Sequence, residues 1–335
     1  MVQDLEEIWR ELESRYAGEE GVYRRLDLEH ETGIRMAVLS PGRTWSILIE
    51  INPDDESVLL PPRWRGMGFK ILPLAGPEPG MKHICLYVDT PDHRPVFTAL
   101  CSDIIRTLES SERSARVRNL QECFHRWARF FEKWGQEGMT LERQRGLLGE
   151  LVFLDTLLNR VQSLLAAVST WKGCTGGIHD FVWRDRAVEV KTTMSKEPRR
   201  VSVSNERQLD DTGLGSLSLF VLTLQEMEAR AMSLPEAVEN VRRRLKKDTN
   251  AASIFEEGLI SAGYVDSDAD KYSKRYAIRK TEAFRVQEGF PRIITVSSGV
   301  GDLKYSVAVS ACGSYAMTTD ELFDVFEGEI TDGQR

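Results

Sequence analysis

Apolar residues recur at helical spacing from Leu5 to Tyr16, so the chain opens with an amphipathic helix. β-branched and aromatic residues then cluster between turn signals at Ile34–Ser40 and Thr44–Ile51, which predicts two strands. Pro53–Gly80 is rich in proline and glycine and reads as loop with short extended pieces. Lys82–Thr90 reads as another strand and Val96–Leu108 as a helix. Past Ser110, the residues Val117, Leu120, Phe124, Trp127, Phe131 and Trp134 fall on one aromatic helical face. A second helix is predicted over Leu141–Leu158.

Short strands follow at His179–Trp183, Ala187–Thr193 and Val201–Ser204, with a brief helix near Asn205–Leu209 and a buried strand over Ser216–Leu224. Ser233, Pro235 and Glu236 spell a capping box that starts the next helix. Ala251–Ala262 reads as helix, Tyr276–Val286, Arg292–Ser298 and Tyr305–Ser310 as strands, and Glu321–Phe326 as a closing helix. With 335 residues the chain has room for two domains. The pattern divides it into an N-terminal α+β module over 1–112, a connecting amphipathic helix over 113–138, and a domain over 139–335 ending in a β-rich extension. The fold class is α/β (α+β).

Composition narrows the function. Hydrophobic residues make up 41% and charged residues 29%, which excludes a disordered or fibrous chain. No apolar run approaches the roughly 20 residues of a membrane span, and the acidic N-terminus lacks a secretory signal. The five cysteines are scattered without a C-x-x-C pair, so we expect a reducing cytoplasm and no zinc cluster. The net charge of −8 argues at first against a protein that coats nucleic acid by bulk charge.

The informative stretch is Asp180 to Lys191. On a strand over Ala187–Thr193, Val188 and Val190 point one way and Glu189 and Lys191 the other. Arg184-Asp185 is a plausible turn that folds the strand of Asp180 back beside Glu189. Two carboxylates with a backbone carbonyl (that of Val190) suit Mg²⁺, and a neighbouring lysine can orient water or offset charge during phosphodiester hydrolysis. Glu150 lies within the apolar stripe of Leu147, Leu151, Leu154 and Leu158, where a carboxylate is costly unless it meets a cation or a metal. It is the third acid expected at this sheet.

An αβββαβ run with Glu150 on its first helix, Asp180 on its first strand and Glu189-Val190-Lys191 on its second resembles the PD-(D/E)XK nuclease superfamily of restriction-endonuclease-like folds. His179 stands where that motif names a proline. Gln208 resembles the glutamine that some branches keep near the active site. Gly146-Leu-Leu-Gly-Glu150, Trp171-x-Gly173, Asp180-Phe181, Glu189-Val-Lys-Thr-Thr193, Ser204 with Gln208-Leu209, and Phe290-Pro291-Arg292-Ile293 are similar to an uncharacterised bacterial family of PD-(D/E)XK proteins. The resemblance implies a restriction-endonuclease-like core at 139–335, Mg²⁺ (or Mn²⁺) on Asp180, Glu189 and the Val190 carbonyl with Glu150 beside them, and water oriented by Lys191. It also implies a restriction or phage-defence operon with ATPase, helicase or methyltransferase partners.

Other matches to the motif are weaker. Pro53-Asp54, Pro91-Asp92 and Asp302-Leu303-Lys304 each spell half of it without the facing strand, and read as turns or loops. Basic residues point to a polyanion: Arg199 and Arg200 beside the acids, and Arg242, Arg243, Arg244, Lys246 and Lys247 on one helix. Residues 1–50 carry eleven acids against six basic groups, so the N-terminal module is expected to dock a partner or regulate. The leading expectation is a Mg²⁺-dependent DNA endonuclease, possible as a homodimer. The alternatives are a catalytically silent nuclease-fold subunit that binds DNA or scaffolds an ATPase complex, and an RNA-cutting nuclease.

Overall fold

The computed structural model describes residues 5–15, 26–27, 33–39, 43–51, 66–72, 82–109, 111–112, 115–134, 138–297, 301 and 303–324. The chain forms two compact units, one of residues 1–137 with 265–267, the other of 138–264 with 268–335. The first unit contains α1 (Leu5–Arg15), β1 (Leu26–Asp27), β2 (Ile34–Leu39), β3 (Thr44–Ile51), β4 (Met67–Leu72), β5 (Lys82–Val88), α2 (Arg94–Glu109) and α3 (Arg116–Trp134). Its antiparallel sheet has the order β1-β2-β3-β5-β4. Trp9 of α1 stacks on Trp45 at 5.0 Å, and its indole N–H donates to the Ser46 carbonyl at 3.0 Å. Asp103 of α2 is buried and accepts from Arg126 and the Trp127 indole of α3, both at 2.9 Å. Burial penalises its charge, but Arg126 and Arg106 outweigh that and hold the carboxyl below its usual range. The aromatic helix thus belongs to the packing of this first unit.

The second unit runs α4 (Leu141–Leu158), α5 (Leu164–Ser169), β6 (Phe181–Trp183), β7 (Arg186–Thr193), β8 (Arg200–Val203), β9 (Ser216–Glu226), β10 (Met232–Ser233), α6 (Leu234–Leu245), α7 (Thr249–Ala262), β11 (Arg275–Val286), β12 (Tyr305–Ala308) and β13 (Ala316–Met317). Its main sheet has the order β10-β11-β9-β7-β6, with β13 also on β11. β6 and β7 form an antiparallel hairpin whose turn places Arg184 at φ 55°, and β7 lies parallel to β9. One sheet face, carrying Val188, Val190, Phe220 and Leu222, packs on the leucines of α4 and on α6. Phe153 of α4 meets Phe181 at 4.5 Å and Phe220 at 5.2 Å. Burying one such side chain contributes about 1.5–3 kcal/mol. The other face, carrying Ala187, Leu217, Leu219 and Val221, is covered by β8 and β12.

The mixed α/β architecture is the α+β fold class expected, with five departures. β8 does not join the main sheet and pairs with β12 in a second layer. The helix expected after β8 is a four-residue 3₁₀ turn, Glu206–Leu209, and α5, capped by Ser163, was not foreseen. Residues 292–297 form no strand, because Arg292 is drawn to the Leu209 carbonyl (2.6 Å) and Asp211 (3.0 Å) while Ile293 and Ile294 stay exposed. β12 stops at Ala308 and turns into a 3₁₀ segment, Val309–Tyr315.

Gly149 is what lets α4 sit close to β7. A Cβ there would lie 2.5 Å from Cγ2 of Thr192, a stiff β-branched side chain. Gly149→Ala should therefore destabilise the chain by about 1–3 kcal/mol, read as a lower urea midpoint. Gly146→Ala, whose Cβ meets nothing within 4 Å, should leave stability unchanged or raise it by up to about 1 kcal/mol.

Candidate active site

β6 begins opposite Val188, yet β7 continues beyond it, so the edge of β7 from Glu189 onward has lost its antiparallel neighbour. The expected strand over His179–Trp183 thus starts two residues late, and Asp180 stands just before it. Asp180 fills the gap: its Oδ2 accepts the Val190 N–H at 2.8 Å. A residue in a strand sends its N–H and C=O to the same edge, so the Val190 carbonyl faces this gap too.

Glu189 and Lys191 project from the sheet face opposite the valines, as the alternation requires. Glu189 is fully buried. Lys191 Nζ stands 2.7 Å from its Oε1 and forms an ion pair with it. The same ammonium donates to Gln208 Oε1 at 3.1 Å, and that oxygen also accepts the Ser204 N–H at 2.9 Å. Gln208 reaches it from the 3₁₀ turn.

Glu150 arrives from α4, on the other face. Its Oε2 accepts the Trp171 indole N–H at 2.7 Å. A Cβ on Gly173 would stand 2.6 Å from Asp180 Oδ1 and 3.1 Å from Glu150 Oε2, so both carboxylates converge where only a glycine fits. Trp171 and Gly173 carry roles that the sequence left without a reason. The signal was the Trp-x-Gly spacing, but nothing in it said that the indole would reach α4.

Burial is the main influence on every charge here. It raises the Asp180 carboxyl, against the opposing pull of Lys191 and the Val190 N–H. Burial and the charge of Asp180 together push Glu189 well above its usual range. Burial also works against the Lys191 ammonium, but Glu189 and Asp180 outweigh it and hold Lys191 above its ordinary value. At neutral pH Lys191 is therefore a cation and no general base. His179, lowered by burial against the field of Asp210, is neutral at that pH and answers to Asp210 rather than to these acids.

The donor set suits a small hard cation: two carboxylates, one of them fully buried, and a carbonyl at the same edge. Among the described residues, no three His, Cys, Asp or Glu side chains gather tightly enough to share one ion, so Glu150 is a neighbour of the pair.

The basic candidates are elsewhere. Arg199 is tied to Glu282, to Glu197 (2.9 Å) and to Thr223 (3.0 Å). Arg200 is exposed and reaches Ser306 at 3.3 Å. Arg242 forms a two-bond pair with Glu256 (2.7 and 2.8 Å), Arg243 donates to Asn240 (2.9 Å), and Arg244 pairs with Asp155. Arg243, Arg244 and Lys247 line a recess of about 550 Å³ with Asp155 and Leu158, toward the C-terminal end of α4 and past Glu150. Lys246 caps α6. Pro91-Asp92 lies in a single 3₁₀ turn, while Pro53-Asp54 and Asp302 fall outside the described residues.

A family model described as "Putative PD-(D/E)XK family member, (DUF4420)" matches residues 5–310. The chain belongs to this PD-(D/E)XK family. Comparison with curated proteins and with solved structures returned no match. The residues expected to form that motif, Asp180 and Glu189-Val190-Lys191, stand just before β6 and on β7. Among the described residues no helix is long and apolar enough to cross a membrane.

The buried acid leaves a mark on stability. Because folding raises the Glu189 carboxyl above its ordinary 4.5, the native chain binds that proton more tightly than the unfolded chain. The stability that this group contributes is fully present below about pH 4.5 and is lost as pH climbs through the raised value. In metal-free buffer, the loss of Tm between pH 5 and pH 8 should be smaller in Glu189→Gln, which has no carboxyl to protonate there, than in the parent, as followed by thermal melts across that range.

Proposed function

We propose that this chain is a divalent-metal-dependent endonuclease that cuts DNA in a bacterial restriction or phage-defence setting. The observation that carries the reading is the fully buried Glu189 carboxylate, placed beside Asp180 and paired with the Lys191 ammonium at 2.7 Å where the strand edge is open. Asp180, Glu189 and the Val190 carbonyl would hold Mg²⁺ or Mn²⁺, with Glu150 adding negative charge nearby. Such an ion supplies a Lewis acid for the phosphoryl oxygen and lowers the pKa of coordinated water.

The protein's own part is positional and electrostatic. Lys191, kept charged by the acids around it, orients the attacking water and offsets charge that develops on the phosphate. Gln208 fixes the direction of that ammonium from the opposite side. The complete set of acids and lysine speaks against a silent scaffold. The five cysteines, all buried thiols, suit the reducing cytoplasm in which we place the protein. We also propose that the basic turn of α6, with Lys246 and Lys247, carries part of the phosphate backbone and that ATPase, helicase or methyltransferase partners deliver the substrate.

Purified chain with Mg²⁺ or Mn²⁺ should cut plasmid DNA in preference to an RNA competitor. Asp180→Ala and Lys191→Ala should each lose at least about a hundredfold of that rate with circular dichroism unchanged. Two variants that cut as fast as the parent would remove the site assignment. The double variant Lys246→Ala/Lys247→Ala should weaken DNA binding at every sequence alike. Its salt slope should be shallower by roughly 0.9 for each phosphate that these lysines neutralise, measured by fluorescence anisotropy between low and moderate salt.

A further inference from the structure

One short segment touches both acids that flank the candidate centre. Lys172 and Gly173 donate their backbone N–H groups to the Asp180 carbonyl, at 2.8 and 2.9 Å. The residue before them, Trp171, bridges to Phe181 and is itself 4% exposed. Its ring rests 5.8 Å from Phe255 of α7 and lies over Gly258, where a Cβ would stand 2.8 Å from Cζ3. From that bed the indole N–H crosses to α4 and meets Glu150 Oε2 at 2.7 Å. Phenylalanine would keep an aromatic ring in this bed while removing the nitrogen, at the cost of a small cavity. A buried indole N–H needs an acceptor, and here the acceptor is the one carboxylate inside the apolar stripe of α4.

Resting on the metal-centre reading above, we infer that Trp171 is a positioning residue, whose indole N–H holds the Glu150 carboxylate turned toward Asp180 and so sets the charge felt at the ion site. The segment then works as a clamp. Its backbone sets Asp180 on the sheet side, and its ring sets Glu150 on the helix side, so the two acids keep their separation through residues 171–173. Gly258 belongs to the device, since any side chain there displaces the ring.

The test is direct Mn²⁺ binding to the full-length chain, followed by electron paramagnetic resonance of the free ion. The proteins compared are the parent, Trp171→Phe, Glu150→Gln, their double variant, and Asp180→Ala. Each is measured well below its own Tm. Trp171→Phe and Glu150→Gln should each weaken Mn²⁺ binding by about tenfold, and the double variant should bind no more weakly than the worse single one. Losses that multiply, or a Trp171→Phe protein that binds as well as the parent, would overturn the role of Trp171. Gly258→Ala should weaken binding in the same direction without touching either acid, and it takes the place of Trp171→Phe if that variant does not fold. Parent and Asp180→Ala binding Mn²⁺ equally would instead overturn the metal centre itself. A parent that binds Mn²⁺ at Asp180 but cuts nothing would sink the nuclease reading and leave Trp171 in its place.

Discussion

The burial of the Glu189 carboxylate, with the Lys191 ammonium 2.7 Å away, is the constraint to which the rest of the site answers. An isolated ionised carboxylate in such a place would cost many kcal/mol. The cost is met in part by Lys191, which is itself buried enough to need the acids around it. Neither group is tolerable alone, and the pair requires a rigid frame to keep it assembled. The parallel ladder from β7 to β9 provides that frame, because it pins Glu189 opposite Leu219 and Lys191 opposite Val221. Where β6 stops, the frame opens at one point, and Asp180 occupies it.

This arrangement explains why the centre draws on both faces of one sheet. Glu189 and Lys191 lie on the face roofed by β8 and β12, and Gln208 meets them from that layer. Glu150 comes from the helix that covers the opposite face. The two sets meet only beyond the end of β6, where no strand separates them. Lengthening β6 would close the ladder and bury the Val190 carbonyl in it. The short edge strand is therefore a condition of the site, much as edge irregularities elsewhere re-aim side chains.

The parts of this picture legible in the sequence were those governed by local periodicity. The alternation of Val188, Glu189, Val190 and Lys191 assigned faces, and the stripe on α4 singled out Glu150 as anomalous. The capping box at Ser233 is formed as spelled. What failed depended on who pairs with whom. β8 has the residues of a sheet strand, but its partner is β12, about a hundred residues away in sequence. Arg292–Ser298 has a strand-like composition, yet Arg292 is held by a carbonyl and by Asp211, and no edge receives the segment. The Trp171 to Glu150 bond was invisible because it spans a helix and a loop whose approach is set by the close packing at Gly258 and Gly173.

Charge shows the same separation between composition and arrangement. On sequence, Arg242 to Lys247 is a dense positive run. In the fold, Arg242 and Arg244 face Glu256 and Asp155, and Arg199 faces Glu282 and Glu197. Much of the run thus neutralises acids of its own unit, and a surface ion pair adds little stability in return. A polyanion approaching this face competes with Glu256 and Asp155 for those guanidinium groups. On the nuclease reading, Arg242 and Arg244 are not free to neutralise phosphates, so this run supplies less counterion release than its composition suggests. Tight engagement must then come from the metal centre or from a partner that holds the substrate, and the overall excess of acidic residues is compatible with either.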